Sequence, residues 1–71
     1  MKIRMGRVDS DAIKAIGFSG GKGERGLLRI LFSNGKIIDY RDVSYQMYRR
    51  LVFSKSAGEF YNAHIRGMFS E

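Results

Sequence analysis

The chain has 71 residues, of which 13 are Lys or Arg and 7 are Asp or Glu, so its formal net charge at pH 7 is +6. A chain of this length forms one domain and buries only about 60% of its unfolded surface, which leaves a narrow margin of stability. It contains no cysteine, so disulfides cannot support it, and good packing or self-association must do so. The positive charge favours polyanionic partners, although an ordinary solvated surface accounts for it equally well.

The chain shows no sign of a membrane span or a secretion signal. Its longest apolar run, residues 26–32, is interrupted by Arg29 and falls far short of the roughly 20 residues that a membrane helix needs. Lys2, Arg4 and Arg7 near the start are not followed by the apolar stretch of a signal peptide. We therefore expect a cytoplasmic protein, and the absence of cysteine agrees with this.

Two strands are predicted, one on each side of a glycine-rich loop. Residues 12–18 are short and apolar-rich and contain a glycine that disfavours a helix, so they are predicted to form a strand. Residues 19–26, with the sequence SGGKGERG, form the loop. After it, Leu28, Ile30 and Phe32 recur at the period of two that a half-buried strand requires.

A hairpin follows the second strand. Asn34-Gly35 is a strong hairpin signal because both residue types tolerate a positive φ, and residues 36–40 are predicted to return as the third strand. A three-residue loop that ends with Gly35 in the left-handed conformation would pair Phe32 with Lys36. A two-residue turn would shift the register by one residue and reverse the faces of the returning strand.

The choice between these two registers depends on Asp39. The two-residue turn would point its carboxylate into the core, where an unpaired charge costs several kcal/mol. The three-residue loop points Asp39 away and places Ile38 and Tyr40 on the same face as Ile30. We therefore predict the three-residue loop and expect Ile30 to lie in the core.

Helical spacing begins after the third strand. Asp42 or Ser44 is suited to cap a first helix that runs to about Phe53. This helix is predicted to be amphipathic, with opposite apolar and polar stripes. The apolar stripe comprises Tyr48, Leu51 and Val52, and the polar stripe comprises Gln46, Arg49 and Arg50.

A second short helix has a clearer beginning. Ser56 and Glu59 have the spacing of a capping box, and Gly67 suits the end of the helix. The predicted fold is thus α+β: a three-stranded antiparallel meander followed by two short helices, arranged in two layers. Residues 1–8 are interpreted as a basic N-terminal appendage or edge strand, and residues 9–71 as a single domain.

Three motifs in the chain resemble those of a known family. The longest is Ser56-x-Gly58-x-Phe60-Tyr61-Asn62-x-His64-Ile65-Arg66-x-x-Phe69, and the others are Ser10 with Ile16-Gly17-Phe18, and Phe32-x-Asn34-Gly35. Together they resemble the KTSC family, a domain named for its occurrence at the C-terminus of some lysyl-tRNA synthetases and also found alone. The resemblance covers residues 9–69 and implies an α+β domain, with RNA binding suggested by the synthetase context.

Two positions depart from the family pattern. Ile38 replaces the first tyrosine of a central Tyr-x-Tyr, of which Tyr40 is the second, and Ser44 replaces the proline that usually opens the following helix. The missing tyrosine removes one aromatic ring on which a base could stack.

Catalytic and metal-binding residues are sparse. His64 is the only histidine, and no cysteine or acidic pair stands at metal-ligand spacing. His64 shares a helix side with Phe60, which favours packing over general-base chemistry. We expect no enzyme, cofactor, metal or small-molecule substrate. In the glycine-rich loop Lys22 is followed by Gly23 instead of the Ser or Thr of a P-loop. We therefore interpret the loop as a mobile hairpin tip, with loose phosphate contact from Lys22 and Arg25 as the alternative.

The leading functional hypothesis is binding of RNA or another nucleic acid through a basic surface, where cations contact phosphates and an aromatic ring stacks on a base. The candidate residues are Arg41, Arg49, Arg50, Lys55, Arg66 and Tyr40, with Lys22 and Arg25 from the loop. A solvated helix face explains Arg49 and Arg50 equally well. Asn62 and Arg66, four residues apart, are alternatively suited to tie the second helix to loop carbonyls or to Asp42.

The competing hypothesis is a small protein-binding module, such as a phage-encoded accessory or inhibitor protein. In the predicted register Leu27, Leu31 and Ile37 point away from the core. They would form an exposed apolar strip unless residues 1–8, a protein partner or a second copy of the chain covered it.

Overall fold

The computed structural model describes residues 5–8, 11–21 and 23–67. Ser10, Lys22 and Phe69, which the sequence motifs and the charge pattern singled out, lie outside these residues. The elements in chain order are β1 (Met5–Arg7), β2 (Ile13–Phe18), β3 (Arg25–Phe32), β4 (Ile37–Ser44), α1 (Tyr45–Val52) and α2 (Ala57–His64). The strands form one antiparallel sheet in the order β1-β2-β3-β4, and the two helices follow it, as an α+β fold requires.

The sheet has one strand more than the meander predicted from sequence. β1 pairs with β2, with Met5 opposite Gly17 and Arg7 opposite Ala15. β1 therefore extends the sheet at its edge and does not fold over the outer face of the sheet. Met5–Arg7 thus form an edge strand, which is one of the two interpretations that the sequence offered for residues 1–8.

The β3–β4 hairpin has the predicted register. The amide of Phe32 donates to the carbonyl of Lys36 at 2.8 Å, and Gly35 has a φ of +89°. Ile30 pairs with Ile38, so the three-residue loop is confirmed. Gly35 is needed here because an L side chain is strained at this backbone conformation.

β3 and β4 are longer than the sequence indicated. Gly26 pairs with Val43, although both were assigned to connecting segments. The register shifts between this pair and Leu28, which is opposite Tyr40, and Asp42 has a positive φ of 58° in the shifted stretch. This bulge absorbs one extra residue of β4 and turns Val43 back toward the core, so pairing continues past the predicted strand end.

The glycine-rich loop closes tightly where β3 begins. A Cβ atom added to Gly26 would lie 2.5 Å from the Cα of Gly20, which is too close for two carbon atoms. The side chain of Ser19 also binds across the loop, since its Oγ accepts from the amide of Leu27 at 2.9 Å. Close backbone packing therefore explains the glycine at position 26 without a bound phosphate.

The core lies between the inner face of the sheet and the helices. Ile30 is fully buried, whereas its neighbour Leu31, on the outer face, is only half-buried. This alternation confirms the predicted assignment of the two faces of β3. The buried core cluster comprises Ile13, Ile16, Leu28, Ile30, Tyr40, Val43, Leu51, Ala57 and Ile65.

Both helices begin at a serine cap. The Oγ of Ser44 accepts from the amide of Met47 at 3.1 Å, and the Oγ of Ser56 accepts from the amide of Glu59 at 3.3 Å. Ser44, rather than Asp42, is thus the cap of α1. Each helix has 8 residues, and none in the described part of the chain is long and apolar enough to cross a bilayer.

Candidate nucleic-acid interface

The outward side of α1 carries two arginines and leads to an exposed aromatic ring. Leu51 is buried against the sheet, so the helical period turns Arg49 and Arg50 toward solvent. Phe53 caps the helix, and its amide donates to the carbonyl of Arg49 at 2.9 Å. Its side chain is 74% exposed, the largest exposure of any large apolar residue in the described chain.

Both arginines lie over aromatic rings. The guanidinium carbon of Arg49 is 5.3 Å from the centroid of Phe53, which follows it by one helical turn. The guanidinium carbon of Arg50 is 5.5 Å from the centroid of Phe60 on α2. Both distances fall within the range of cation–π attraction, so the aromatic rings help to hold the two charges in place.

Phe60 also stacks on a histidine. The ring centroids of Phe60 and His64 are 4.4 Å apart, at the four-residue spacing that brings side chains together on a helix. Phe60 is half-buried and packs against the core, whereas His64 is exposed. We call the surface formed by Arg49, Arg50, Phe53, Phe60 and His64 the aromatic–basic patch.

Tyr40 cannot supply the exposed aromatic ring that the sequence assigned to it. It is only 3% exposed, because it lies on the inner face of β4, and its hydroxyl is hydrogen-bonded to the hydroxyl of Tyr61. The ring of Tyr61 also packs at 5.9 Å from that of Tyr40. A base has no access to the face of Tyr40, so Phe53 is the exposed ring beside the basic residues of α1.

The other basic candidates are spread over the molecule. Arg25 is exposed at the beginning of β3, and Arg41 is exposed on β4. Lys55 lies on the connection between the helices, and Arg66 is exposed after the end of α2. Of the residues predicted to bind nucleic acid, Arg49 and Arg50 are the two that lie over aromatic rings in the described part of the chain.

A polar groove lies beside the beginning of α2. It has a volume of about 450 Å³ and is lined by Lys55, Asn62, Asp11 and Glu59, among others. Within the described ranges, no hydrogen bond joins Asn62 or Arg66 to Asp42, so of the predicted ties the one to Asp42 is not formed. The two carboxylates make this groove less favourable for a polyanion than the aromatic–basic patch.

The outer face of the sheet combines an ion pair with an apolar strip. Arg29 and Asp39 are paired across β3 and β4, with hydrogen bonds of 2.8 and 2.9 Å. Hydrogen bonding from Arg29 lowers the pKa of Asp39 below its ordinary value. Leu31 pairs with Ile37, which is 60% exposed, and Leu27 is half-buried further along β3.

Acidic and histidine side chains do not converge on a metal site in the described residues. No group of three or more His, Cys, Asp or Glu is placed there to hold an ion. His64 contacts the ring of Phe60 and forms no ion pair with a carboxylate of the described residues.

The sequence predicts the packing of His64 with Phe60, which the ring contact confirms. It does not predict the role of Phe53, which it places only at the end of the first helix. The four-residue spacing of Arg49 and Phe53 was a usable local signal, since helical neighbours at this spacing touch. The contact of Arg50 with Phe60 joins two helices, and no local pattern predicts it.

The comparisons with known proteins agree with the motifs quoted above. The family model of the KTSC domain matches residues 9–69, which is nearly the whole chain. A search of curated proteins finds no match. The chain therefore belongs to the KTSC domain family.

Proposed function

We propose that this KTSC domain is a non-catalytic binding domain for RNA or other nucleic acid, and that the aromatic–basic patch is its contact surface. The observation that carries the proposal is that both arginines of α1 lie over aromatic rings and that one of these rings, Phe53, is 74% exposed. Basic side chains beside exposed aromatic rings combine phosphate contact with base stacking.

The electrostatics of the patch support a polyanionic partner. Among the described residues, neither Arg49 nor Arg50 forms an ion pair with a carboxylate, whereas Arg29 is neutralised by Asp39. Contact with a partner phosphate would thus not require breaking an internal salt bridge. The formal charge of +6 also attracts nucleic acid over longer distances.

A salt-titrated binding assay tests the proposal. Binding to single-stranded RNA, structured RNA and duplex DNA is measured by fluorescence anisotropy over a range of salt concentrations. We expect affinity to fall steeply with salt and the double variant Arg49→Gln/Arg50→Gln to bind more weakly. The loss of two phosphate contacts to a single strand would reduce the slope of log K against log salt by about 1.4.

The matched control removes the same charge elsewhere. Lys14 on β2 and Lys36 in the β3–β4 turn are exposed and lie on neither helix, so Lys14→Gln/Lys36→Gln lowers the net charge equally. We expect this control to keep most of the affinity and the salt slope. No binding at low salt, or equal losses in both double variants, would contradict the proposal.

A second candidate function is binding of a protein partner or of a second copy through the outer sheet face. The observation that favours it is the 60% exposure of Ile37 beside Leu31, since β1 extends the sheet without covering this strip. Analytical ultracentrifugation of the chain and of Ile37→Lys tests self-association. A dimeric mass that the lysine variant abolishes would support it, and a monomer at all concentrations would exclude the homodimer.

A further inference from the structure

The ring of Phe53 is exposed and contacts the guanidinium of Arg49. The guanidinium of Arg49 lies over the ring at 5.3 Å, and the side chain as a whole remains 74% exposed. An exposure this large, with Arg49 over the ring, leaves most of the ring accessible to solvent. A flat aromatic group is therefore able to stack on this ring.

Phe60 is placed differently. Its ring is half-buried and contacts both the guanidinium of Arg50 and the imidazole of His64. Phe60 is therefore already in contact with two side chains, and its role is to position Arg50. The two arginines thus have different surroundings: Arg49 lies on a ring that is open to a ligand, and Arg50 lies on a ring that belongs to the fold.

We propose that the aromatic–basic patch selects single-stranded nucleic acid by stacking one unpaired base on Phe53, while Arg49 and Arg50 contact the flanking phosphates. This inference rests on the proposed function and names its substrate class. The bases of a duplex are stacked on one another and do not offer a free face, whereas those of a single strand do. Stacking uses no contact to the 2′-hydroxyl, so single strands of RNA and DNA both bind.

Base stacking at position 53 can be measured directly by tryptophan fluorescence. Because the chain has no tryptophan, Phe53→Trp introduces one fluorophore at the proposed stacking position. We expect a single-stranded oligoadenylate to quench its emission and the matching duplex to leave it unchanged. Ile37→Trp, at an exposed position of the sheet instead of the helices, is the control and should not be quenched. Quenching of the Ile37→Trp variant alone would place the ligand on the sheet face and overturn the inference.

A second variant separates this inference from the proposed function. Phe53→Ala removes the ring from an exposed position, so the fold should persist, which a thermal melt checks. We expect its affinity for the single strand to fall roughly 5- to 150-fold, with duplex binding and the salt slope unchanged. If Arg49→Gln/Arg50→Gln weakens binding and Phe53→Ala does not, the basic surface binds nucleic acid and the stacking inference is wrong. If nothing binds, both fail.

Discussion

Arg29 and Asp39 face each other across the β3–β4 ladder, with Nε of the guanidinium 2.8 Å from one carboxylate oxygen and Nη2 2.9 Å from the other. The pair lies on the outer face of the sheet, in the register that keeps Asp39 out of the core. A bidentate pair of this kind has a defined geometry, because the planar guanidinium matches the planar carboxylate. The same register places Ile30 in the core and Ile37 in solvent.

The Arg29–Asp39 pair should make stability depend on pH. The pKa of Asp39 in the folded state is below its ordinary value of 3.8, first because of the hydrogen bond from Arg29. The stabilisation is therefore present above that ordinary value and is lost as the pH falls through the folded pKa. Urea unfolding of the wild type and of Asp39→Asn at about pH 6 and about pH 2.5 measures this. We expect the stability advantage of the wild type to shrink at the lower pH. An advantage that stays constant with pH would show that the pair contributes nothing through its charge.

Ile30→Ala tests the assignment of the sheet faces. Ile30 is fully buried, so the truncation removes apolar contacts, leaves a cavity and should cost about 2–5 kcal/mol of unfolding free energy. Ile37→Ala makes the same chemical change on the outer face and should cost less than about 1 kcal/mol. Chemical denaturation compares the two variants. Equal losses would mean that the outer face is covered in solution.

Gly26→Ala tests the close packing at the base of the glycine-rich loop. The added methyl group would collide with the backbone of Gly20, so we expect a loss of about 1–3 kcal/mol. Gly21→Ala is the matched control, because its methyl group would meet only the end of the flexible Glu24 side chain. Thermal melts of both variants give the comparison. Wild-type stability of Gly26→Ala would show that the contact does not constrain the loop.

Tyr40→Phe separates a structural role of this tyrosine from a binding role. Removal of its hydroxyl breaks the hydrogen bond to Tyr61 and should cost about 0.5–1.5 kcal/mol. The loss in Tyr40→Phe/Tyr61→Phe should be smaller than the sum of the two single losses, because both remove the same bond. Affinity for single-stranded RNA should remain unchanged, since Tyr40 is buried. A reduced affinity in a stably folded Tyr40→Phe would show that this residue takes part in binding.

Local signals in the sequence predicted the hairpin and the helix caps correctly. Asn34-Gly35 and the carboxylate of Asp39 together determined the register, because only one loop length keeps that charge in solvent. Ser56 and Glu59 marked the start of α2 for a similarly local reason. The hydroxyl of Ser56 accepts a hydrogen bond from the backbone amide of Glu59, only three residues further along the chain. The KTSC family membership was also recognisable from short motifs.

The tertiary structure alone decided the features that involve residues far apart in the chain. Pairing with β2 decided between an appendage and an edge strand for Met5–Arg7. The hydrogen bond to Tyr61 joined Tyr40 to the core instead of a binding surface. The aromatic–basic patch depends on the packing of α1 beside α2, which brings Arg50 over Phe60. Periodicity assigns a residue to a face of its own helix or strand, but the neighbour that this face meets depends on how the elements pack together.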